Sequence, residues 1–520
     1  MEQRSVLTRT TRLKEEHTKS KYEWNRWKWM RHFFTEDVSP DNSPVIELQR
    51  RALWIGLALI LQAPNEIDHD VYMPYLQSFG SLIPFILILG SFIAMVMAFR
   101  PTSLKRQARQ GQPHRWQRII LVCTLLVTIA GGIEFGRALV MCFLPPQFSN
   151  DGTSLDTNAA VLLLEGRNPY TDSNMLDLAR RFPIQPNWTT PLEKGQFANR
   201  LDYPTLVEFQ TVLDTDLKSG IAPEFESKVS YPALSFLTLV PFAWFNDYNV
   251  LPFYLLSYLL LVAISWKAVR PEMRMWVLLL AMANVSMWSS TTGGNLDIFY
   301  TLLIVMVWLL RDRRWYSALF LGLALASKQL AWFFIPFYII MVVRQYGLKE
   351  ITYRLAIAGS IGLAFNLPFI LWNPHAWVAG ILAPIADPMF PMGVGIINFN
   401  VTHLLPFFPK WVYSALEGGA MIASLVWYWR ICKKFPEAAM LLAVLPLFFA
   451  WRSLASYFYC AAYPLFILMA ARKPSSKKLQ PKETSYQPVS LLPTKSQGLL
   501  PEVPAAASIQ ASSYPSSIFQ

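Results

Sequence analysis

Charge is what this chain lacks most: only 15% of its 520 residues are Asp, Glu, Lys or Arg, where a soluble domain carries about a quarter. With 53% hydrophobic residues, that deficit excludes an ordinary soluble enzyme. Cysteine is scarce too. Cys123, Cys142, Cys432 and Cys460 lie in or beside apolar runs, and none stands in a Cys-x-x-Cys spacing. A disulfide framework or a zinc site is not expected, and the four read as buried thiols. Walker A, HExxH and GxSxG patterns are missing, and His375 and His403 lack metal-ligand spacing. No metal and no cofactor is therefore expected. There is no convincing internal repeat of the kind that marks two-halved transporters. A cleavable leader is not expected either, because Met1–Pro44 is polar and charged; the first apolar segment reads as a retained span.

What the chain has in abundance is apolar runs, many near the ~20 residues that a bilayer core demands. The expectation is an all-α polytopic membrane protein. Its net charge of +12 is read as basic cytoplasmic loops rather than nucleic-acid binding. Residues 1–50 form an N-terminal arm, with an aromatic and basic stretch, Lys21–Phe34, suited to a membrane interface or to a disordered arm. Residues 51–118 form a hairpin, with segments near 52–63 and 81–99 joined by the acidic 65–70 and followed by a basic loop from Arg100 to Arg118. The segment 119–144 then runs outward. Its Glu134 and Arg137 are three residues apart and are expected to neutralise each other.

Residues 145–231 carry twelve acidic and seven basic residues, the reverse of the overall balance, which fits an external loop. Within it, 151–164 has the pattern to begin a helix. The short run 232–246 starts at Pro232 and reads as re-entrant, and 250–266 as a crossing. Spans near 275–290, 296–310, 315–327, 330–343, 352–372, 411–429, 437–451 and 454–471 alternate between basic and bare connections, the longest bare one being 373–410. The total is about twelve transmembrane helices with both termini inside, and 472–520 as a disordered cytoplasmic tail.

This topology gathers one set of residues on the external side: Asp151 and Asp156, Asn295 and Asp297, Lys328, and Arg452. Lys328 and Arg452 are isolated cations on the bare face, and a phosphate is a natural partner for each. A sugar donor on a polyprenyl phosphate would need such a cation at its leaving phosphate, and a carboxylate to take the proton of the attacking hydroxyl. One base suffices for direct displacement with inversion, whereas retention requires a second carboxylate as nucleophile. Blander roles compete: Asp156 as a helix cap, Asp151-Gly152 as a turn, Lys328 reaching to headgroups, Arg452 paired with Asp297 or Glu417.

Four stretches carry a family resemblance: Asp151-Gly-Thr-Ser-Leu-Asp-Thr-Asn-Ala-Ala160 with Leu164-Glu-Gly-Arg-Asn-Pro-Tyr170; Ser230-Tyr-Pro-Ala-Leu-Ser-Phe236; Gly293-Gly-Asn-Leu-Asp297; and Leu323-Ala-Leu-Ala-Ser-Lys-Gln329. In order and spacing they resemble the GT-C superfamily of integral-membrane glycosyltransferases, and most closely its polyprenol-phosphate-mannose-dependent α-1,2-mannosyltransferases. Ala233 departs from the second proline of the family's Tyr-Pro-Pro-Leu. The resemblance covers roughly 119–471 and makes the preceding hairpin an addition. It implies a polyprenyl-phosphate sugar donor, with mannose as the sugar, a lipid or glycan acceptor, and a base in the first external loop. Asp156, nearer the Gly-x-Asn-Pro-Tyr end, is preferred over Asp151; Lys328 and Arg452 take the donor phosphate, and Asn295, Asp297 and Tyr231 orient the acceptor. The expected setting is a bacterial plasma membrane. A transporter or flippase of a lipid-linked glycan, or a non-catalytic scaffold, is the alternative.

Overall fold

The apolar runs fold as helices wherever proline, glycine or asparagine does not interrupt them. The computed structural model describes residues 44–64, 82–100, 115–144, 150–182, 189–220, 224–292 and 294–471. The stretch 21–34, the acidic 65–70, the basic residues at 105, 106 and 109, and the tail from 472 lie outside the described residues.

Three helices are long and apolar enough to cross a membrane by length and composition: Arg115–Met141, Leu251–Ala268 and Leu348–Trp372. On the first, Ile119, Val122, Leu126, Ile129, Ile133 and Val140 are each more than half exposed. A continuous apolar face of this size is unfavourable in water and suits lipid contact. Glu134 and Arg137 on the same helix pair at 3.7 Å, as their spacing implies.

In the stretch expected to form a hairpin, Pro44–Gln62 packs on Ile83–Phe99. The run 232–246 is not one helix. It breaks into Leu234–Leu237 and Val240–Trp244, with Pro232 before the first and Pro241 opening the second, so it is too short to cross a bilayer core. Asn366, buried inside Leu348–Trp372, holds this segment: its Oδ1 accepts from the Ala233 N–H at 3.0 Å and from Trp377 Nε1 at 3.2 Å. Two further expected spans are interrupted. Residues 275–290 divide at Asn284 into Arg274–Ala283 and Val285–Thr292, and 437–451 is a series of short turns ending at Phe449.

The 145–231 region has its own small core, where Leu155, Met175, Leu178, Phe182, Phe197, Phe209, Val212, Leu213 and Phe225 pack together with Phe390 from the distant 373–410 connection. Its helices carry strong local signals. Thr205 and Glu208 form a reciprocal capping box at the start of Leu206–Ser219, and Gly220 at φ 68° closes that helix in the left-handed region.

The helix Asp151–Leu164 joins this core to the membrane helices. Asn150 caps it, accepting from the Thr153 N–H at 2.9 Å, and residues 152–162 are buried throughout. Leu155 enters the small core, Ala159 packs with Tyr170, Phe236 and Phe369, and Ala160 and Val161 join the main core. A helix buried on every side makes room for no free surface, so each of its polar side chains needs a stated partner or a purpose.

Candidate active site

Asp151 and Asp156 lie five positions apart on the same helix, so their side chains point about 140° apart around its axis. Their surroundings differ accordingly. Asp156 is 1% exposed, accepts from Ser235 Oγ at 3.0 Å, and has no partner for Oδ2. Burial pushes its carboxyl up to about 8, although Ser235 and the charge of Lys328 act in the opposite direction. Asp151 occupies the first turn and is only partly buried. Its Oδ1 accepts from the Gly152 N–H at 2.8 Å and its Oδ2 from the Thr190 hydroxyl. Neither aspartate is the helix cap, since Asn150 takes that role, and Asp151-Gly152 is the first turn of the helix rather than a loop turn.

Gly152 explains how closely the helix start approaches Tyr231. A Cβ there would lie 2.9 Å from the Tyr231 ring and 3.0 Å from its hydroxyl, too close for any larger residue. Tyr231 is fixed by its backbone, whose carbonyl accepts from the Tyr170 hydroxyl at 2.8 Å. The ammonium of Lys328 sits over the Tyr231 ring at 5.1 Å from its centroid. A second tether joins Thr153, whose hydroxyl donates to the Gly294 carbonyl, to the turn that precedes Asp297.

Lys328 has a carboxylate partner already. It ion-pairs with Asp297, and both residues are buried. Asn295 orients this pair by accepting from the Asp297 N–H at 2.9 Å, which is a helix-start role. The second oxygen of Asp297 has no hydrogen-bond partner. Arg452 is paired with neither Asp297 nor Glu417 among the described ion pairs, and its Nη1 is buried without a hydrogen-bond partner. It stands on a two-residue strand, Arg452–Ser453, parallel to Met392–Gly393, with Met392 opposite Arg452. Close backbone approach requires glycine here: Gly393 has φ 132°, and a Cβ on it would meet the Ser453 carbonyl oxygen at 2.1 Å.

Tyr457 connects the two halves of this arrangement. Its ring lies within electrostatic reach of Arg452, Lys328, Asp297 and Asp151 together. Tyr203 likewise lies within reach of Arg452 and Asp151. Burial lifts the Tyr203 hydroxyl to about 12, so it remains a neutral donor at ordinary pH. The sequence reading missed Tyr457, Tyr203 and Thr190. All three are common residue types, and only the fold brings them beside Asp151. Of the residues singled out from the sequence, direct contacts link the Asp151 helix start to Tyr231, Tyr231 to Lys328, Lys328 to Asp297 and Asp297 to Asn295, while Arg452 shares with them only the electrostatic surroundings of Tyr457. Among the described residues, no three His, Cys, Asp or Glu side chains are grouped so as to hold a metal ion.

A search of the curated proteins and of the solved structures found no match. Residues 230–456, a little under half of the chain, match the model of Glycosyltransferase family 87. The matched stretch contains Tyr231, Asn295, Asp297, Lys328 and Arg452, and it begins after both aspartates of the Asp151–Leu164 helix. Taken with the apolar helices, the likeness of residues 230–456 to Glycosyltransferase family 87 supports a membrane glycosyltransferase.

Proposed function

We propose that this protein transfers a sugar, mannose in the first instance, from a polyprenyl-phosphate donor to a lipid or glycan acceptor at the external membrane face. The supporting observation is the likeness of residues 230–456 to a glycosyltransferase family, together with the contacts that join the Asp151 helix start, Tyr231, Lys328 and Asp297. In this reading about twelve crossings carry the chain, both termini are cytoplasmic, and the membrane is a bacterial plasma membrane. The match to a glycosyltransferase family favours the enzyme over a flippase or a scaffold.

Asp151 rather than Asp156 is the general base. A base must be ionised and must reach the acceptor hydroxyl. Asp156 meets neither demand: it is buried, and its carboxyl is pushed up to about 8. Asp151 is partly open and lies beside Tyr231. The acceptor oxygen attacks the anomeric carbon as the bond from that carbon to the phosphate oxygen breaks. The hydroxyl proton passes to the Asp151 carboxylate, and the electron pair leaves with the phosphate. The unpaired Nη1 of Arg452 meets the charge that grows on the leaving phosphate. One base and one cation fit a single displacement with inversion. Lys328, neutralised by Asp297, acts as a fixed part of the wall and supports Tyr231 from behind.

Purified protein is supplied with radiolabelled polyprenyl-phosphate mannose and a membrane lipid extract, and wild type is compared with Asp151→Asn and Asp156→Asn. Transfer by wild type and by Asp156→Asn, with loss in Asp151→Asn, supports the assignment. No transfer by wild type removes the donor; equal transfer by all three removes the base.

A further inference from the structure

The Thr190 hydroxyl donates to Oδ2 of Asp151 across 39 residues of sequence. Thr190 does not stand on a free loop. Its carbonyl accepts from the Glu226 N–H at 2.8 Å, and the Leu192 N–H donates to the Glu224 carbonyl at 2.9 Å, an antiparallel pairing in which Pro191 faces Phe225. The same segment continues into a second pairing. Leu192 faces Met389, and the Glu193 N–H donates to the Pro388 carbonyl at 2.7 Å. Trp451 Nε1 donates to the Met389 carbonyl at 3.1 Å, and Met392 then pairs with Arg452. Short backbone pairings, joined at Met389 by the Trp451 side chain, thus lead from the partner of Asp151 to the strand that carries Arg452.

We propose that Thr190 is the positioning residue for Asp151, its hydroxyl holding Oδ2 while the Gly152 N–H holds Oδ1, so that the carboxylate presents a remaining lone pair to the acceptor. This rests on the reading of Asp151 as the base. The physical ground is positional: the Gly152 N–H holds one oxygen from within the helix, and the Thr190 hydroxyl, on a paired backbone segment, holds the other and fixes the rotamer. The 190–226 pairing and the 388–392 connection make this donor part of the same frame as the phosphate cation, so base and cation keep a fixed separation.

The test uses Thr190→Val, which keeps the shape and removes the donor, and Thr190→Ser, which restores it. Kinetics follow transfer from polyprenyl-phosphate mannose. Thr190→Val is expected to lower kcat by about 10- to 100-fold, the worth of a hydrogen bond to a charged group, with donor KM within about twofold. Thr190→Ser is expected to restore kcat.

An activity-independent arm accompanies the kinetics. Infrared titration of protein with isotope-labelled aspartate, as the difference between wild type and Asp151→Asn, is repeated in Thr190→Val. A changed carboxylate band for Asp151 supports the contact. An unchanged band, or kcat in Thr190→Val equal to wild type, overturns the proposal even where Asp151→Asn is inactive. Absence of transfer by wild type overturns the function reading instead, and the infrared arm then decides the contact alone. Equal loss in Thr190→Val and Thr190→Ser, with lowered Tm in both, identifies a folding role and overturns the proposal as well.

Discussion

Lys328 Nζ donates to Oδ1 of Asp297, and both side chains are almost fully buried at the ends of two adjoining helices, Arg314–Ser327 and Asp297–Leu309. Desolvating two charges is costly, and only their close mutual contact offsets it. Removal of one partner leaves the other buried and uncompensated. Lys328→Met is therefore expected to destabilise the protein by about 3–5 kcal/mol. The double variant Lys328→Met/Asp297→Leu is expected to recover much of that loss, as read from thermal unfolding in detergent. A Lys328→Met protein with unchanged Tm and selectively raised donor KM would return Lys328 to the phosphate-binding role.

Asp151→Asn and Asp156→Asn are expected to differ in activity. Asp151→Asn is expected to lose about 10²- to 10⁴-fold in kcat, the usual contribution of a general base. Asp156→Asn replaces a carboxyl that largely keeps its proton at neutral pH, so it is expected to retain most activity. Initial transfer rates at pH 7 decide this, and the reverse order of effects would restore Asp156 as the base.

Arg452 offers a buried Nη1 with no hydrogen-bond partner among the described residues. Its replacement by Ala is expected to lower kcat by about 10²- to 10³-fold, comparable with removal of one donor to a developing negative charge. Arg452→Lys keeps the charge but loses the planar geometry and is expected to recover only part of it. Saturation curves in donor concentration separate a kcat effect from a KM effect.

Stability is expected to fall as pH rises from about 4.5 to about 7. Glu226 is buried beside Asp387, and its carboxyl is pushed up from 4.5 to about 7. Its folded value lies above its unfolded one. Between the two, the folded state holds a proton that the unfolded state has released, so stability decreases until the folded group ionises. The whole effect is present above about 7 and absent below about 4.5. Asp156 adds a slope of the same sign over its own range, from 3.8 to about 8. Glu226→Gln keeps an oxygen for the N–H groups of Ser227 and Lys228 and is expected to flatten the curve. Tm against pH for the two proteins measures it.

Gly152 and Gly294 mark how much of the site was legible in advance. Both belong to stretches singled out from the sequence, Asp151–Ala160 and Gly293–Asp297, yet their purpose is steric and reciprocal. Gly152 admits Tyr231; Gly294, at φ 71°, accepts the Thr153 hydroxyl. Several helix boundaries were legible because the ends of the apolar runs fix them locally, even where a proline such as Pro464 lies within the helix. The expected 296–310, 315–327 and 454–471 segments appear as Asp297–Leu309, Arg314–Ser327 and Ser456–Ala470. The break at Asn284 was not, since a polar residue inside an apolar run is compatible with either a continuous or a divided helix.

Composition and periodicity by themselves determined a helical membrane chain with a polar region between residues 145 and 231, and they named the charged residues that needed partners. They left the two aspartates equivalent, and the motif spacing favoured Asp156. Tertiary structure gives the two carboxyls different surroundings, and the proposed choice of Asp151 rests on that difference. Packing against Ser235 and the core buries Asp156, while Thr190, Gly152 and Tyr231 hold Asp151 at the edge of the region shared with Arg452. Lys328 and Arg452 were likewise indistinguishable as isolated cations in the sequence. Only the fold brought Asp297 to one of them and left the other with an open donor.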